Sequence, residues 1–352
     1  MASSKPSIPS VMTAWHFTSA QGGLDKNLTL NTSAPLPSHD ATSLGKDKVL
    51  VQVLATSLNP VDHKIVEIPV AGRFVVKTPA SPGLDFAGRV AAAGNETGLK
   101  NGQLVFGRLD GPTQFGTLAE YTVAPKPGVA PLPEGLDPKD AACAGTAGLT
   151  AYQCIVPNIK RNAGDRVFIN GGSGGTGTFG IQIAKAVGCY VTTSCSARNV
   201  ELCKALGADE VIDYTKDDVV EAVKKSAENG GKFDLIVDNV GNSGKLYWQC
   251  HHFTSQQAKY VQVGAPASAY SALDMAMKFL WPGLIGGGKR QFQFWQVSSK
   301  PEQLEEIGRW MAEGKVKAVV EEVFSMQDAR KAFEKLRTGR TKGKVVVVVK
   351  DG

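Results

Sequence analysis

The chain has no C-x-x-C pair, no regular cysteine framework, no basic arm and no low-complexity linker. Its six cysteines, at 143, 154, 189, 195, 203 and 250, read as the reduced thiols of a cytoplasmic protein. A long apolar run is missing as well. The longest, Phe279 to Gly287, is too short to span a bilayer and contains Pro282, so no membrane partner is expected. Met1 to Ser10 has neither the apolar core of a signal peptide nor the arginines of a transit peptide. Lysine and arginine number 39 against 33 acidic residues, and the resulting +6 is dispersed along the chain. Nothing in that balance calls for nucleic acid, whereas a phosphorylated ligand would suit it.

Glycine is what the chain has in excess, at 39 of 352 residues against a usual share of roughly 7%. Hydrophobic residues make up 42% and charged residues 20%, which argues for a packed core and against disorder. At about 150 residues per domain, the length predicts two domains.

The first 135 residues or so alternate in short segments broken by Pro and Gly, such as Lys48 to Thr56, Phe86 to Ala93, Leu104 to Phe106 and Leu118 to Val123. That alternation predicts strands with one buried face. From Arg166 onward, apolar runs alternate with helix-length segments. Val167 to Asn170 precedes Gly177 to Val187, Tyr190 to Ser194 precedes Asn199 to Leu206, and Val211 to Tyr214 precedes Val219 to Glu228. Leu235 to Asn239 and Tyr260 to Val263 continue the series. Repeated β-α units predict an α/β fold with a doubly wound parallel sheet. Pro301 to Glu313 and Ala329 to Arg337 read as amphipathic helices. Lys344 to Lys350 reads as a terminal strand that returns to an edge of the β-rich half. The expected division is therefore 1–139 and 297–352 for a β-rich domain and 140–296 for the parallel sheet.

The strongest chemical signal is the loop from Val167 to Gly177, in which Gly172, Gly174 and Gly177 have the spacing of a dinucleotide-binding turn between a strand and a helix. Gly172 permits the turn, Gly174 lets the backbone approach a pyrophosphate, and Gly177 lets the helix pack on the strand. Ser173, Gly175 and Thr176 complete the phosphate cradle at the helix N-terminus. An NAD site usually has a carboxylate about 20 residues further on, at the end of the second strand. Here that place holds Ser194-Cys195-Ser196-Ala197-Arg198, and a hydroxyl with a guanidinium suits a 2′-phosphate. NADPH is the expected cofactor.

Together with that loop, Ser57 to Lys64, Pro82 to Gly88, Gly116 to Tyr121, Ala147 to Tyr152 and Leu206 to Tyr214 resemble the medium-chain dehydrogenase/reductase superfamily. Within it they resemble the zinc-independent quinone oxidoreductase and enoyl reductase branch. The resemblance covers nearly the whole chain. It implies a GroES-like β-rich catalytic domain interrupted by a Rossmann domain, with the nicotinamide at the base of the cleft between them. Zinc-dependent relatives have Cys at Asn59 and Gly-His-Glu at Gly83-Leu84-Asp85, and a four-cysteine lobe follows residue 94, where this chain has no cysteine before Cys143. Without thiolate or imidazole ligands, no zinc site is expected.

Position by position, the resemblance places Asn59 and Thr150 near the nicotinamide and its ribose. It places Ser196, Arg198 and Tyr214 at the 2′-phosphate, and Asn239, Val240, Val263, Gly264 and Ala265 at strand ends lining the nicotinamide pocket. Phe292 and Phe294 close over that pocket, and Lys64 stands near the acyl carbonyl. Read as a residue alone, Lys64 is equally a surface lysine after a strand, and Asp62 more readily orients its loop than reacts. Trp281 and Pro282 either line the substrate mouth or meet a second subunit. By family habit the chain is a homodimer, with a monomer as the alternative. The expected activity is hydride transfer from NADPH to an electrophilic small molecule, either an enone, an enoyl thioester or a quinone. Reduction of a simple carbonyl and a non-catalytic NADPH-binding role are the alternatives.

Overall fold

The computed structural model describes residues 8–38, 43–242, 244–264, 269–281 and 287–350. The strands, in chain order, begin with β1 (Val11–His16), β2 (Thr29–Pro35), β3 (Lys48–Leu58), β4 (Asp85–Ala93), β5 (Leu104–Arg108), β6 (Tyr121–Pro125) and β7 (Val129–Pro131). They continue with β8 (Arg166–Asn170), β9 (Tyr190–Cys195), β10 (Glu210–Asp213), β11 (Phe233–Asp238), β12 (Thr254–Gln262) and β13 (Gln291–Phe294). The last two are β14 (Val320–Ser325) and β15 (Lys344–Val348). Among the described residues, no helix is long and apolar enough to cross a membrane.

The chain divides into two units, one made of 1–146, 298–313 and 320–352, the other of 147–297 and 314–319. Residues 138–146 belong to the first unit because the turns at Pro138–Ala141 and Ala142–Ala144 pack on β3, β4 and β15. In that unit a seven-stranded sheet runs β14-β15-β3-β4-β5-β7, with β6 also paired to β3. The run of valines in β15 is antiparallel to β3, Val345 facing Leu58 and Val348 facing Ala55, and Val345, Val346 and Val347 are fully buried. The tail strand β15 thus pairs with β3, and β14 adds in parallel beyond it. Short Pro- and Gly-broken strands suit this sheet because each needs only one apolar face. Their inner faces build a core around Val49, Val51, Phe86 and Val105.

In the second unit the six-stranded sheet runs β10-β9-β8-β11-β12-β13, every pair parallel. In order of appearance this is 3-2-1-4-5-6, the doubly wound order, whose direction reverses between β8 and β11. Strands buried on both faces need near-continuous apolar runs, which Val167-Phe168-Ile169 and Leu235-Ile236-Val237 provide, all of them buried. Ligands in such sheets bind at the carboxyl ends of the strands beside the reversal, here Asn170 and Asp238.

Candidate active site

In the parallel-sheet unit the strand ends at the reversal are tied together by side chains. The Asn170 amide donates to Asp238 Oδ1 at 2.8 Å and its Oδ1 accepts from the Ser194 hydroxyl at 2.6 Å, joining β8, β11 and β9. Ser194 then holds the glycine loop, accepting from the Gly171 amide at Oγ and from the Gly172 amide at its carbonyl. Asp238 fixes the next turn by accepting from the Val240 and Gly241 amides at 3.0 and 2.9 Å. Its other oxygen accepts from the fully buried Tyr260 hydroxyl at 2.6 Å. Burial first, and then the neighbouring Asp238, push the Tyr260 phenol well above its ordinary range, so it stays a donor.

The three glycines differ in what demands them. A Cβ on Gly172 would meet Thr193 Oγ1 at 2.1 Å, and one on Gly177 would meet the Gly171 carbonyl oxygen at 2.2 Å. At Gly174 the nearest heavy atom would be 3.7 Å away, and its φ of −81° suits any residue. No atom of the described residues requires glycine at 174. A ligand approaching the backbone there would require it, and the helix Gly175–Ala186 begins at that point with its unpaired N–H groups.

Unpartnered polar atoms surround the same loop. Both amide atoms of Asn239 and Oδ1 of Asn199 are buried without a hydrogen-bond partner among the described residues. Asn199 Nδ2 donates to Ser173 Oγ at 3.0 Å and Ser196 Oγ at 3.3 Å, linking the loop to the end of β9. Buried amides of this kind are normally satisfied, so they point to a polar ligand. The residues present fit a dinucleotide.

Beyond β9, Ser196 is half-buried and Arg198 is exposed, while Tyr214 is 55% exposed. Asp213 ends the neighbouring β10, but its Oδ1 accepts from Thr215 and its Oδ2 lies 3.8 Å from Lys216. The Thr215 hydrogen bond and then Lys216 hold its carboxyl below the usual range. Thr150 is buried in the helix Thr146–Ile155. Val240 is partly exposed, and the Val263 and Gly264 amides donate to the Asp238 carbonyl at 2.8 and 3.4 Å. Phe292 and Phe294 lie on β13, with Phe294 42% exposed and Phe292 stacked on Tyr260. Ala265 and Pro282 lie outside the described residues.

In the β-rich unit Asn59 sits at the centre of a buried polar network. Its Nδ2 donates to Asp85 Oδ2 at 2.8 Å and to the Ser57 carbonyl at 3.3 Å, and its Oδ1 accepts from Lys344. Lys344 also donates to the Leu58 carbonyl at 3.0 Å and lies 3.7 Å from Asp85. Asp85 is completed by Thr146, whose hydroxyl donates to Oδ1 at 2.6 Å and accepts from Arg108. Both hydrogens of the Asn59 amide are therefore used inside the unit, and the residue is only 4% exposed. Its geometry is that of a positioning residue. Lys64, by contrast, is exposed and forms no hydrogen bond or ion pair among the described residues.

Asn59 also caps the short helix Pro60–Lys64, and Asp62 answers by accepting the Asn59 amide at 2.7 Å. Asp62 is 2% exposed, and its second oxygen has no partner among the described residues. Burial, then the nearby Asp85, raises its carboxyl to about 7, against the pull of Lys344 and Arg108. A carboxyl raised on folding contributes stability below its unfolded value of 3.8 that is lost as pH rises through about 7. Asp62→Asn keeps an acceptor for the Asn59 amide and removes the titration. Its melting temperature is expected to gain on that of the wild type between pH 5 and pH 8, and parallel pH profiles for the two proteins would refute this.

Comparison with known proteins identifies the family. Residues 45–134 match the model of the alcohol dehydrogenase GroES-like domain, and residues 206–347 that of the zinc-binding dehydrogenases. The chain is 55% identical over 351 residues to the trans-enoyl reductase pgmF of Aspergillus terreus, covering 97% of each. The chain belongs to the medium-chain dehydrogenase/reductase superfamily. It is an oxidoreductase of the enoyl reductase and quinone oxidoreductase type. This oxidoreductase is 34% identical to the 2-methylene-furan-3-one reductase of Solanum lycopersicum over 97% of its own length and 80% of that enzyme's. Its fold superposes on the quinone oxidoreductase from Coxiella burnetii with a TM-score of 0.79 at 29% identity, covering 96% of this chain and 99% of that one.

Sequence reasoning did not reach several residues of the oxidoreductase that the fold brings into its sites. Lys344 reads in sequence as the start of an apolar strand. Asn199 reads as the first residue of a helix, and Ser81 only precedes the Pro82 to Gly88 segment. None has a local signature, because each acquires its role from partners distant in the chain.

Proposed function

We propose that this oxidoreductase uses NADPH to reduce a carbon–carbon double bond conjugated to a carbonyl, without zinc. The observation that carries the reading is the 55% identity to a trans-enoyl reductase across 97% of both chains. Three features support its details. Asn59, Leu84 and Asp85 supply neither thiolate nor imidazole, and the described residues contain no group of three His, Cys, Asp or Glu that could hold a metal. The end of β9 carries Ser196 and the exposed Arg198 in place of a carboxylate, which suits a 2′-phosphate. Gly174 and the orphaned amides of Asn199 and Asn239 fit a polar ligand along the glycine loop.

The bound dinucleotide would supply the hydride. The chain's part is placement and electrostatics. Ser173 to Gly177 would hold the pyrophosphate on the backbone amides at the start of the helix. Asn239 would hydrogen-bond the carboxamide end of the ligand, and the Asn170–Ser194–Asp238 clamp keeps these loops in register. A conjugated carbonyl suits such a site because negative charge moves onto its oxygen as the hydride arrives, where hydrogen-bond donors stabilise it. A quinone shares this chemistry and is the second reading, favoured by the match to a quinone oxidoreductase structure.

NADPH consumption with an enoyl thioester, a short enone, a quinone and a simple aldehyde tests the reading. The enoyl thioester or enone is expected to be reduced fastest. A protein that reduces only the aldehyde is a carbonyl reductase, and one that binds NADPH without reducing any substrate is a binding protein; either result overturns the proposal. Arg198→Ala is expected to weaken NADPH at least tenfold, through the loss of a charge-assisted phosphate contact of about 1.5–3 kcal/mol, and to leave NADH nearly unchanged. Equal losses in titrations with the two cofactors would remove Arg198 from the phosphate site.

A further inference from the structure

A lysine of the parallel-sheet unit is buried among aromatic rings. Lys278 lies on the helix Ala269–Leu280, and its side chain is 0% exposed. Its Nζ stands 2.7 Å from Asp274 Oδ2, one helical turn back, and donates to Gln262 Oε1 at 2.8 Å. The ring centroids of Phe292, Tyr247 and Tyr260 lie 5.5, 5.6 and 6.0 Å from the same ammonium. Asp274 is held in turn by the Trp248 indole, which donates to its Oδ1 at 3.1 Å. A buried ion pair is a poor source of stability, because desolvating the two charges offsets most of their attraction. Stability alone does not account for a charge in this place.

The effect of the ammonium on Gln262 follows from hydrogen-bond chemistry. An ammonium only donates, so it fixes the Gln262 amide with its oxygen toward Lys278. The amide nitrogen then points the other way, and it donates to the Gly264 carbonyl at 2.9 Å. A carbonyl only accepts, so the amide is locked in one of its two orientations from both ends. Gln262 is 1% exposed, and water does not compete for either end.

Gln262 ends β12, and Gly264 belongs to the turn that follows it. That turn is pressed against the one after β11. A Cβ on Gly241, whose φ is +61°, would meet the Gly264 carbonyl oxygen at 2.0 Å and Gln262 Nε2 at 2.6 Å. One on Gly264 would meet the Asn239 carbonyl oxygen at 2.2 Å. Asn239 is the residue whose two amide atoms are buried without a partner among the described residues. Both turns stand at the carboxyl ends of their strands, the edge of a doubly wound sheet where ligands bind. With so little space between the backbones, a shift of the Gly264 carbonyl displaces Asn239.

We propose that Lys278 is a positioning residue for the nicotinamide end of the dinucleotide, acting through Gln262 to hold the paired turns after β11 and β12 and so to keep Asn239 in place for the ligand. The proposal rests on the reading of this chain as an NADPH-dependent reductase. The 2′-phosphate end would lie at Ser196 and Arg198 after β9, on the far side of β8 from these turns. Loss of the Lys278 link therefore acts on one half of the ligand and spares the other.

The test compares the full-length wild type with Lys278→Met, with Gln262→Met, and with Lys278→Met combined with Asp274→Asn. Lys278→Met alone strands the Asp274 carboxylate and loses stability. The double variant removes both charges, keeps an acceptor for Trp248 and is expected to melt like the wild type. Gln262→Met leaves the ion pair whole and removes only the link. Calorimetric titrations use NADPH and adenosine 2′,5′-bisphosphate, which lacks the nicotinamide. All three variants are expected to bind the bisphosphate like the wild type and NADPH about tenfold more weakly. The fluorescence of bound NADPH should move toward that of the free cofactor, and kcat on an enone should fall by about 10–10²-fold. A double variant or a Gln262→Met protein with wild-type NADPH affinity overturns the proposal, since the buried pair then only supports the helix. Equal losses for the two ligands overturn it as well. A wild type that binds NADPH but reduces no conjugated carbonyl sinks the functional reading alone, because the titrations still decide the role of Lys278. One that binds no NADPH sinks both.

Discussion

Lys344→Met should destabilise the β-rich unit by about 3–5 kcal/mol, the usual cost of removing one partner from a buried ion pair. Lys344 and Asp85 are 2% and 0% exposed at their side chains, so water cannot replace the lost cation. The substitution would leave Asn59 Oδ1 and the Leu58 carbonyl without their donor and the Asp85 carboxylate with Thr146 and Asn59 alone. Urea unfolding measures the effect, and a loss under about 1 kcal/mol would mean that the network is not held by its charge. Asp85→Asn in the same background should recover part of the loss, because it removes the stranded carboxylate while keeping an acceptor for Thr146.

The second large effect separates two glycines of one loop. Gly177→Val is expected to abolish dinucleotide binding and to lower the melting temperature. Its Cβ would lie 2.2 Å from the Gly171 carbonyl oxygen and 2.7 Å from Gly172 Cα, and these backbone atoms cannot rotate away. Overpacking of this kind costs about 1–3 kcal/mol or more. The Cβ of Gly174→Val meets no atom of the described residues closer than the Gly171 carbonyl oxygen at 3.7 Å, so the variant should cost only the ~1 kcal/mol lost at a helix N-cap. Its dinucleotide affinity should nevertheless fall at least tenfold, since the new side chain would occupy the approach to the backbone amides. Calorimetric titration alongside thermal melts distinguishes the pair. Equal binding by Gly174→Val and the wild type would place the phosphates elsewhere.

Much of the parallel-sheet unit was legible in the sequence, because its signals are local. The runs at Val167, Tyr190, Val211 and Leu235 fall on β8 to β11; in the β-rich unit, the helix expected over Ala329 to Arg337 has those same bounds. Elements whose stability comes from neighbours left little trace. Strand β14, Val-Glu-Glu-Val-Phe-Ser, is half-exposed and exists as an edge on the buried β15. Strand β6 begins at Tyr121, three residues after its expected start, because Leu118 and Ala119 bond back to the Pro82 and Trp15 region instead. The helix Ala269–Leu280 and the short strands β1, β2, β7 and β13 were likewise not marked by a period that the sequence makes plain.

The candidate sites divide along the same line. The sequence by itself determined the glycine loop, the lack of a carboxylate at the end of β9 and the lack of thiolate and imidazole at Asn59 and Leu84, since residue identity and short spacing carry all three. Only the tertiary structure decided that Asn59 turns its amide inward to Asp85 and to Lys344, 285 residues away. It also decided that Asp62 and Ser81 line one small buried pocket and that burial raises the Asp62 carboxyl to about 7. Desolvation and proximity shift a carboxyl or fix an amide, and both arise when distant segments exclude water from the same place.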